Sequence, residues 1–192
     1  MKITSAFPSQ QQLHTYWQQL SVEGHSYSEL SASADDLPLG YDHDYNRICI
    51  GKGESAFEAA KAALAAWQMF PSNWTHIYPP KASLMPDQTV VVSFRLFGLW
   101  WHNGCRIIYT IEEADKFGFA YGTLKGHVEC GEEQFLVYKD SNAYVWYQIT
   151  AFSRPAIWLT KLGYPLTRRF QRRFVLDSMA LMQQTDHLPS YA

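Results

Sequence analysis

Apolar residues recur at helical spacing in two stretches of the first half of the chain, residues 9–20 and 54–70. Ser9 is placed to cap the first predicted helix, and Pro71 is placed to end the second. The intervening residues 21–45 are polar and rich in turn formers. They predict an irregular lead-in rather than a separate domain, followed by a short strand in "NRICIGKG" directly before the second helix.

Strand composition dominates the middle of the chain, where β-branched and aromatic residues are separated by Gly, Asp and Asn. The predicted strands cover residues 89–97, 105–113, 117–125, 133–139 and 143–152. The connections "EADK" and "KDSNA" are too short for a parallel crossover. Successive strands are therefore expected to pair antiparallel as a meander.

The last part of the chain returns to helical periodicity. Ser153 is placed as a cap, Pro155 suits a first helical turn, and Pro165 is expected to break or kink the helix near its start. The apolar stripe of this helix consists of Leu159, Leu162, Leu166, Phe170, Phe174 and Leu181. The element order predicts an α+β fold in which one curved antiparallel sheet wraps around a long C-terminal helix.

Composition fits one soluble globular domain, because 47% of the 192 residues are hydrophobic and 18% are charged. Sixteen basic and eighteen acidic side chains give a net charge of −2, so we expect no nucleic-acid partner. The N-terminus lacks the apolar region of a signal peptide, and the most apolar run contains Arg95 and is too short to be a transmembrane segment. Three scattered cysteines indicate a reducing, cytoplasmic location.

Several strings together resemble domain-of-unknown-function family 1990, also catalogued as uncharacterised protein family 0548: "LPLGYDHD", "GKGESAFEAAKAALAAWQMF", "FGFAYGTLKGHVECGEEQFLV" and "ITAFSRPAIWLTKLGYPLTRRFQRRF". The element order is similar to the helix-grip fold of the Bet v 1 and START-like superfamily, whose sheet often leaves an apolar cavity against its last helix. This resemblance implies a single helix-grip domain over residues 27–184. We expect an N-terminal extension with a short helix over residues 1–26 and a tail over residues 185–192.

The string "HVECGEE" concentrates side chains that ligate metals or transfer protons. These side chains are His127, Glu129, Cys130, Glu132 and Glu133. The pair His127 and Glu129 matches the H-x-E of zinc deaminases, but no P-C-x-x-C follows, so no metal is expected. Two interpretations remain open. One is a hairpin loop with exposed carboxylates, and the other is a loop at a cavity mouth that orients a ligand or supplies a general base.

Two further motifs are interpreted as structural. Gly51, Gly53 and Ala56 match G-x-G-x-x-G/A, but no βαβ repeat follows and Glu54 lies where a pyrophosphate would sit, so we predict a turn and no cofactor. The side chains of "DHD", residues 42–44, diverge along an extended segment, so no cation is expected there.

Residues 117–124 alternate between large and small side chains. The small face consists of Gly118, Ala120 and Gly122, followed by Leu124. Small side chains permit strong curvature or close backbone approach, so we expect the floor of a cavity on this face.

Aromatic residues make up 16% of the chain, which favours a pocket as well as a core. The leading hypothesis is a module that binds a small apolar or aromatic ligand between the sheet and the C-terminal helix. The expected wall residues are Trp100, Trp101, Tyr121, Trp146 and Tyr147. The expected polar orienting residues are Arg106, His127, Glu133 and Arg154.

Two other functions compete with ligand binding. Superfamily relatives include cyclases, dehydratases and hydrolases, which suggests an enzyme that uses His127 with Glu129 or Glu133, and Tyr121, for acid-base chemistry. The alternative is a protein-interaction module. Its contact residues would be the helix arginines Arg168, Arg169, Arg172 and Arg173, which otherwise form a solvated face with nearby carboxylates.

Overall fold

The computed structural model describes residues 1–157 and 163–187. Leu159 and Leu162 of the predicted terminal stripe lie outside the described residues. The helices are α1 (Gln10–Ser21), α2 (Gly53–Ala65) and α3 (Tyr164–Gln183). The strands are β1 (Lys2–Thr4), β2 (Asp42–Lys52), β3 (Thr75–Tyr78), β4 (Thr89–Leu96), β5 (Leu99–Glu112), β6 (Lys116–Thr123), β7 (Glu129–Lys139) and β8 (Tyr144–Pro155).

All strands of the described chain join one curved antiparallel sheet with the order β2-β8-β7-β6-β5-β4-β3. The predicted meander is confirmed, because β4 to β8 are successive neighbours in both the chain and the sheet. The short strands β1 and β3 were not predicted. β1 pairs with residues 100–102 of β5, beyond the part of β5 that pairs with β6.

The start of the terminal helix differs from the prediction. Ser153 and Pro155 do not cap or open a helix, because both continue β8, where Pro155 pairs with Glu129 of β7. Helix α3 begins at Tyr164 instead. Pro165 lies in its first turn, where a missing backbone N–H interrupts no helical hydrogen bond, so Pro165 does not break the helix.

Helices α2 and α3 pack against one face of the sheet, which we call the inner face. The main core lies there, with Phe57 and Leu64 of α2 against Phe135 and Val137 of β7. Helix α2 ends before the predicted Pro71, because Trp67 adopts a left-handed φ of 59°. No helix of the described chain is long and apolar enough to cross a membrane.

The opposite, outer face of the sheet is covered by the N-terminal residues. The predicted helix over residues 9–20 is confirmed as α1, and Ser9 caps it through a reciprocal pair of hydrogen bonds with Gln12. Leu13 and Leu20 of α1 are buried in one cluster on this face. Residues 22–41 then cross the outer face toward β2 as an irregular lead-in, which is shorter than predicted because residues 42–45 already belong to β2.

Candidate functional site

A cavity of about 730 Å³ lies between the inner face of the sheet and the N-terminal half of α3. Its walls include the aromatic side chains of Phe70, Trp74, Phe94, Trp101, Phe170 and Phe174. Phe94 and Trp101 stack with their rings 4° from parallel, and the rings of Phe70 and Phe174 are 5.1 Å apart between centroids. The sheet therefore forms one side of an aromatic pocket, and helix α3 covers the other side.

Strand alternation divides the 127–133 cluster between the two faces of the sheet. Glu129 and Glu133 of β7 line the cavity, and His127 joins them from the loop that precedes β7. Cys130 instead packs in the cluster on the outer face. Within residues 1–157 and 163–187, no three His, Cys, Asp or Glu side chains meet in a way that would hold a metal ion.

Glu133 is held by Tyr121, its register partner on β6. The Tyr121 hydroxyl donates a hydrogen bond of 2.7 Å to Oε2 of Glu133. Burial raises the pKa of Glu133 from 4.5 to about 7, and the hydrogen bond from Tyr121 partly offsets this rise. Burial also raises the pKa of Tyr121 well above 10, so the phenol remains a neutral donor. This pair therefore offers a carboxyl group that titrates near neutral pH.

Glu129 and His127 occupy the same end of the cavity. Burial, followed by the nearby charge of Asp42, raises the pKa of Glu129 to about 7, and Arg168 opposes this rise. Oε1 of Glu129 is buried and has no hydrogen-bond partner within the described chain. Burial lowers the pKa of His127 to about 3. The imidazole is therefore neutral at pH 7 and a weak base, and its Nδ1 lies 2.9 Å from the donating amide nitrogen of Glu129.

An ion pair joins α3 to the edge strand β2 beside the cavity. Both terminal nitrogens of Arg168 donate to the carboxylate oxygens of Asp44 at 2.6 Å. This bidentate geometry balances the charge of Arg168 and fixes the helix against the sheet. Arg172, one turn further along α3, also lines the cavity and is exposed to solvent.

Of the five predicted aromatic wall residues, Trp101 and Tyr121 line the cavity. Tyr147 faces the same way but is fully buried in the core, where its hydroxyl lies 2.8 Å from Oγ of Ser178 on α3. Trp100 and Trp146 lie on the outer face, because each precedes an inward-facing residue along its strand. Trp100 packs against Phe7, and Trp146 donates to Asp140.

The two predicted orienting arginines also lie on the outer face, away from the cavity. Arg106 donates to the carbonyl oxygens of Leu20 at 3.3 Å and Ser21 at 2.9 Å, so it satisfies the C-terminal end of α1. The Arg154 guanidinium lies 4.5 Å from the centre of the Tyr41 ring. Both side chains therefore hold the N-terminal covering in place.

The small side chains of β6 face outward rather than into the cavity. A Cβ atom added to Gly122 would lie 2.0 Å from the Tyr27 hydroxyl oxygen, so the expectation of close approach is confirmed. The expectation that this face forms the cavity floor is wrong. The aromatic side chains of β6, including Tyr121, supply the cavity wall instead.

A second buried polar cluster lies under residues 27–33 on the outer face. Glu132 is 3% exposed and accepts four hydrogen bonds. The donors are the Tyr27 hydroxyl, the backbone N–H groups of Ser31 and Ser33, and the Ser33 hydroxyl. This carboxylate fastens the irregular segment to β7, and nothing in the sequence pattern indicated it.

Other cavity residues were also missed. Phe94 was detectable, because strand alternation in "VVVSFRL" places it on the same face as the buried Val90. Phe170 and Phe174 of the predicted apolar stripe both line the cavity, and Phe174 also packs against the main core. The Asp44 ion pair spans distant parts of the chain, and no local spacing signals it.

A curved antiparallel sheet closed by a C-terminal helix, with an aromatic cavity between them, defines the helix-grip fold. The chain belongs to the family described as "Domain of unknown function (DUF1990)", whose model matches residues 26–181.

Curated relatives support the family, and a solved structure shares the fold. A UPF0548 protein of Dictyostelium discoideum is 34% identical, and the match covers 89% of each chain. A UPF0548 protein of Deinococcus radiodurans is 37% identical over 77% of this chain and 80% of its own. The crystal structure of the di-domain ARO/CYC StfQ from the steffimycin biosynthetic pathway has a similar fold, with a TM-score of 0.52 and 9% identity over 76% of this chain and 50% of StfQ.

Proposed function

We propose that the protein binds a small apolar or aromatic molecule in the cavity between the sheet and α3. The observation that carries this proposal is the cavity itself, about 730 Å³ with aromatic walls. Pockets for small molecules commonly measure about 300–1,000 Å³ and combine apolar walls with a few polar groups. Trp101 and Tyr121 remain the proposed contacts from the sequence, and Phe94, Trp74 and Phe174 are added from the structure.

The test is to fill the cavity. Ala151 lies on β8 and lines the cavity, so Ala151→Phe places a ring inside it. Ala65, exposed at the end of α2, offers the matched control Ala65→Phe. We expect the neutral dye Nile red to bind the wild type and the control, and to bind Ala151→Phe at least about tenfold more weakly. Equal binding by both variants would contradict the proposal.

Native mass spectrometry of protein purified from its own host adds an independent measurement. A small molecule that travels with the wild type and is missing from a folded Ala151→Phe variant supports the proposal.

The three cysteines are all unpaired, which supports our inference of a reducing, cytoplasmic location.

Acid-base catalysis is a second candidate, because Glu133 combines a pKa of about 7 with a place in the cavity. Glu133 would act as the base and Tyr121 as its hydrogen-bond donor. His127, with a pKa of about 3, is the weaker choice. The test is whether a molecule recovered from the host is altered chemically by the wild type and left unaltered by Glu133→Gln.

Protein binding through the helix arginines has less support. Arg168 is occupied by Asp44, and Arg173 forms an ion pair with Asp177 and lies over the Trp74 ring. Arg169 and Arg172 are the two of the four that lack an ion pair within the described chain. Two separate charges are a small basis for recognising an acidic surface.

A further inference from the structure

We propose that the molecule bound in the cavity carries a basic nitrogen on its apolar or aromatic body, and that this nitrogen binds as a cation with Glu129 as its main partner. This inference rests on the proposed function and specifies the chemical class of the ligand. Its support comes from the partners of Glu129, the charges that face the cavity and the aromatic walls.

Glu129 is the place in the cavity where a hydrogen-bond donor is missing. Its Oε1 is buried and unpartnered within the described chain, although a buried acceptor without a donor destabilises a protein by about 1–3 kcal/mol. Its neighbour His127 does not supply the bond, because the Nδ1 contact goes to the backbone of Glu129. An ammonium group of a ligand would supply both the donor and the compensating charge.

The charges around the cavity favour a cation over an anion. The titratable and charged groups that line the cavity or act on Glu129 are Asp42 and Asp44 on β2, Tyr121 on β6, His127 before β7, Glu132 and Glu133 on β7, and Arg168 and Arg172 on α3. Glu132 already accepts four hydrogen bonds on the outer face. The Arg168 guanidinium is already paired with Asp44, and Arg172 is exposed. The inner groups left to meet a ligand charge are Glu129 and Glu133, which attract an ammonium group and repel a carboxylate.

The remaining walls suit the body of such a ligand and add to the attraction for its charge. Phe70, Trp74, Phe94, Trp101, Phe170 and Phe174 present aromatic surface to the cavity. Aromatic faces attract cations within about 6 Å of the ring centre and also remove apolar area from water. An aromatic amine therefore meets more favourable contacts here than a neutral or acidic molecule of the same size.

Affinity for the cation should depend on pH, because Glu129 attracts it only when its carboxyl group is ionised. With a pKa of about 7, the group is mostly protonated one unit below neutral and mostly ionised one unit above. Over that range the ionised fraction rises about tenfold, and the affinity for an amine that stays protonated should rise by the same factor. A neutral ligand should show no such change.

The experiment compares three probes that share one aromatic body: naphthylmethylamine, naphthylmethanol and naphthoic acid. Isothermal titration calorimetry is run at about pH 6 and about pH 8 on wild type, Glu129→Gln, Glu133→Gln and Glu58→Gln. Glu58 is exposed on α2 and serves as the control. Thermal melting confirms that each variant is folded.

We expect the amine to bind the wild type at least about tenfold more tightly than the alcohol at the higher pH, with the acid weakest. Glu129→Gln should lower the amine affinity about tenfold and reduce its pH dependence to the part that Glu133 supplies, while the alcohol affinity stays unchanged. If Glu129→Gln does not fold, Glu133→Gln decides. An amine affinity that stays well above the alcohol affinity supports Glu129 as the main partner, and loss of that preference overturns it.

Two results would overturn the inference in distinguishable ways. If the alcohol or the acid binds as tightly as the amine, the ligand is apolar or aromatic but not basic, and the proposed function stands alone. The inference is also overturned if Glu129→Gln binds the amine as tightly as the control Glu58→Gln does, because Glu129 would then contribute nothing to the affinity. If none of the three probes binds, the proposed function fails together with the inference.

Discussion

The substitution Glu132→Gln tests the claim that a buried carboxylate fastens the N-terminal segment to the sheet. Glu132 is 3% exposed, so water cannot replace partners that it loses. Oε2 accepts from the Tyr27 hydroxyl at 2.7 Å and from the Ser31 amide at 3.0 Å. Oε1 accepts from the Ser33 amide at 3.1 Å and from the Ser33 hydroxyl. Each oxygen therefore faces one backbone N–H group, which can only donate.

The size of the expected effect follows from this geometry. Glutamine keeps the shape of glutamate but replaces one oxygen with an NH₂ donor. In either orientation, the NH₂ group points at a backbone N–H, of Ser31 or of Ser33, so this buried NH₂ donor meets another donor where an acceptor stood. An unpaired buried donor costs about 1–3 kcal/mol, and the other bonds lose the strength that a charged acceptor gives them. We expect the free energy of unfolding to fall by about 3 kcal/mol.

The adjacent residue provides a matched control on the other face of the sheet. Glu133 accepts its hydrogen bond from a single side-chain hydroxyl, that of Tyr121, and an amide oxygen can accept the same bond. Its raised pKa also means that burial of the charged form opposes folding at pH 7. Glu133→Gln should therefore leave the stability at pH 7 unchanged or increase it.

Urea unfolding followed by tryptophan fluorescence measures both variants, with m-values compared to confirm that the same surface unfolds. The reasoning is refuted if Glu132→Gln lies within about 0.5 kcal/mol of wild type, since that is the usual range of surface substitutions. It is also refuted if Glu132→Gln and Glu133→Gln destabilise the protein equally, because the two faces would then not differ.

Two further predictions concern the same pair of strands. Because the pKa of Glu133 rises from 4.5 to about 7 on folding, the wild type loses stability as pH rises through that window. Glu133→Gln loses less, because only Glu129 of the two cavity carboxyl groups still contributes. Between about pH 5 and pH 8, the stability of the variant relative to wild type should grow by about 2–3 kcal/mol in urea unfolding, and parallel pH profiles would contradict this. Gly122→Ala should destabilise by about 2–3 kcal/mol, because its Cβ would lie 2.0 Å from the Tyr27 oxygen that Glu132 holds in place. Gly24→Ala, whose nearest neighbour is the Lys125 side chain at 3.6 Å, is the control, and equal melting temperatures of the two variants would count against the prediction.

The elements of the fold were predictable because their signals are local. Helical spacing in α1 and α2 and the short turns between β4 and β8 each depend on a few neighbouring residues. The start of α3 was mispredicted for the same reason. "SRP" has the composition of a helix cap, but pairing with β7 across the sheet outweighs that preference and keeps Ser153 and Pro155 in β8.

The candidate site was only partly predictable, because alternation sorts residues into two faces without saying which face holds a cavity. Trp146 and Tyr147 are equally aromatic, and only the packing of α3 makes the face of Tyr147 the inner one. Arg106 and Arg154 have their partners in α1 and in the irregular residues 22–41. A segment without periodicity carries no signal of where it will pack, so Arg154 could not be assigned to the outer face.

The two faces nevertheless depend on one strand register. Tyr121 pairs with Glu133 and Gly122 pairs with Glu132, so consecutive residue pairs of β6 and β7 serve the cavity and the outer cluster in turn. A slip of one residue would exchange the faces, which would move Glu132 into the cavity and Glu133 under residues 27–33. The four hydrogen bonds to Glu132 and the close contact of Tyr27 with Gly122 both oppose such a slip. The outer cluster therefore fixes the place of Glu133 in the cavity from the opposite face of the sheet.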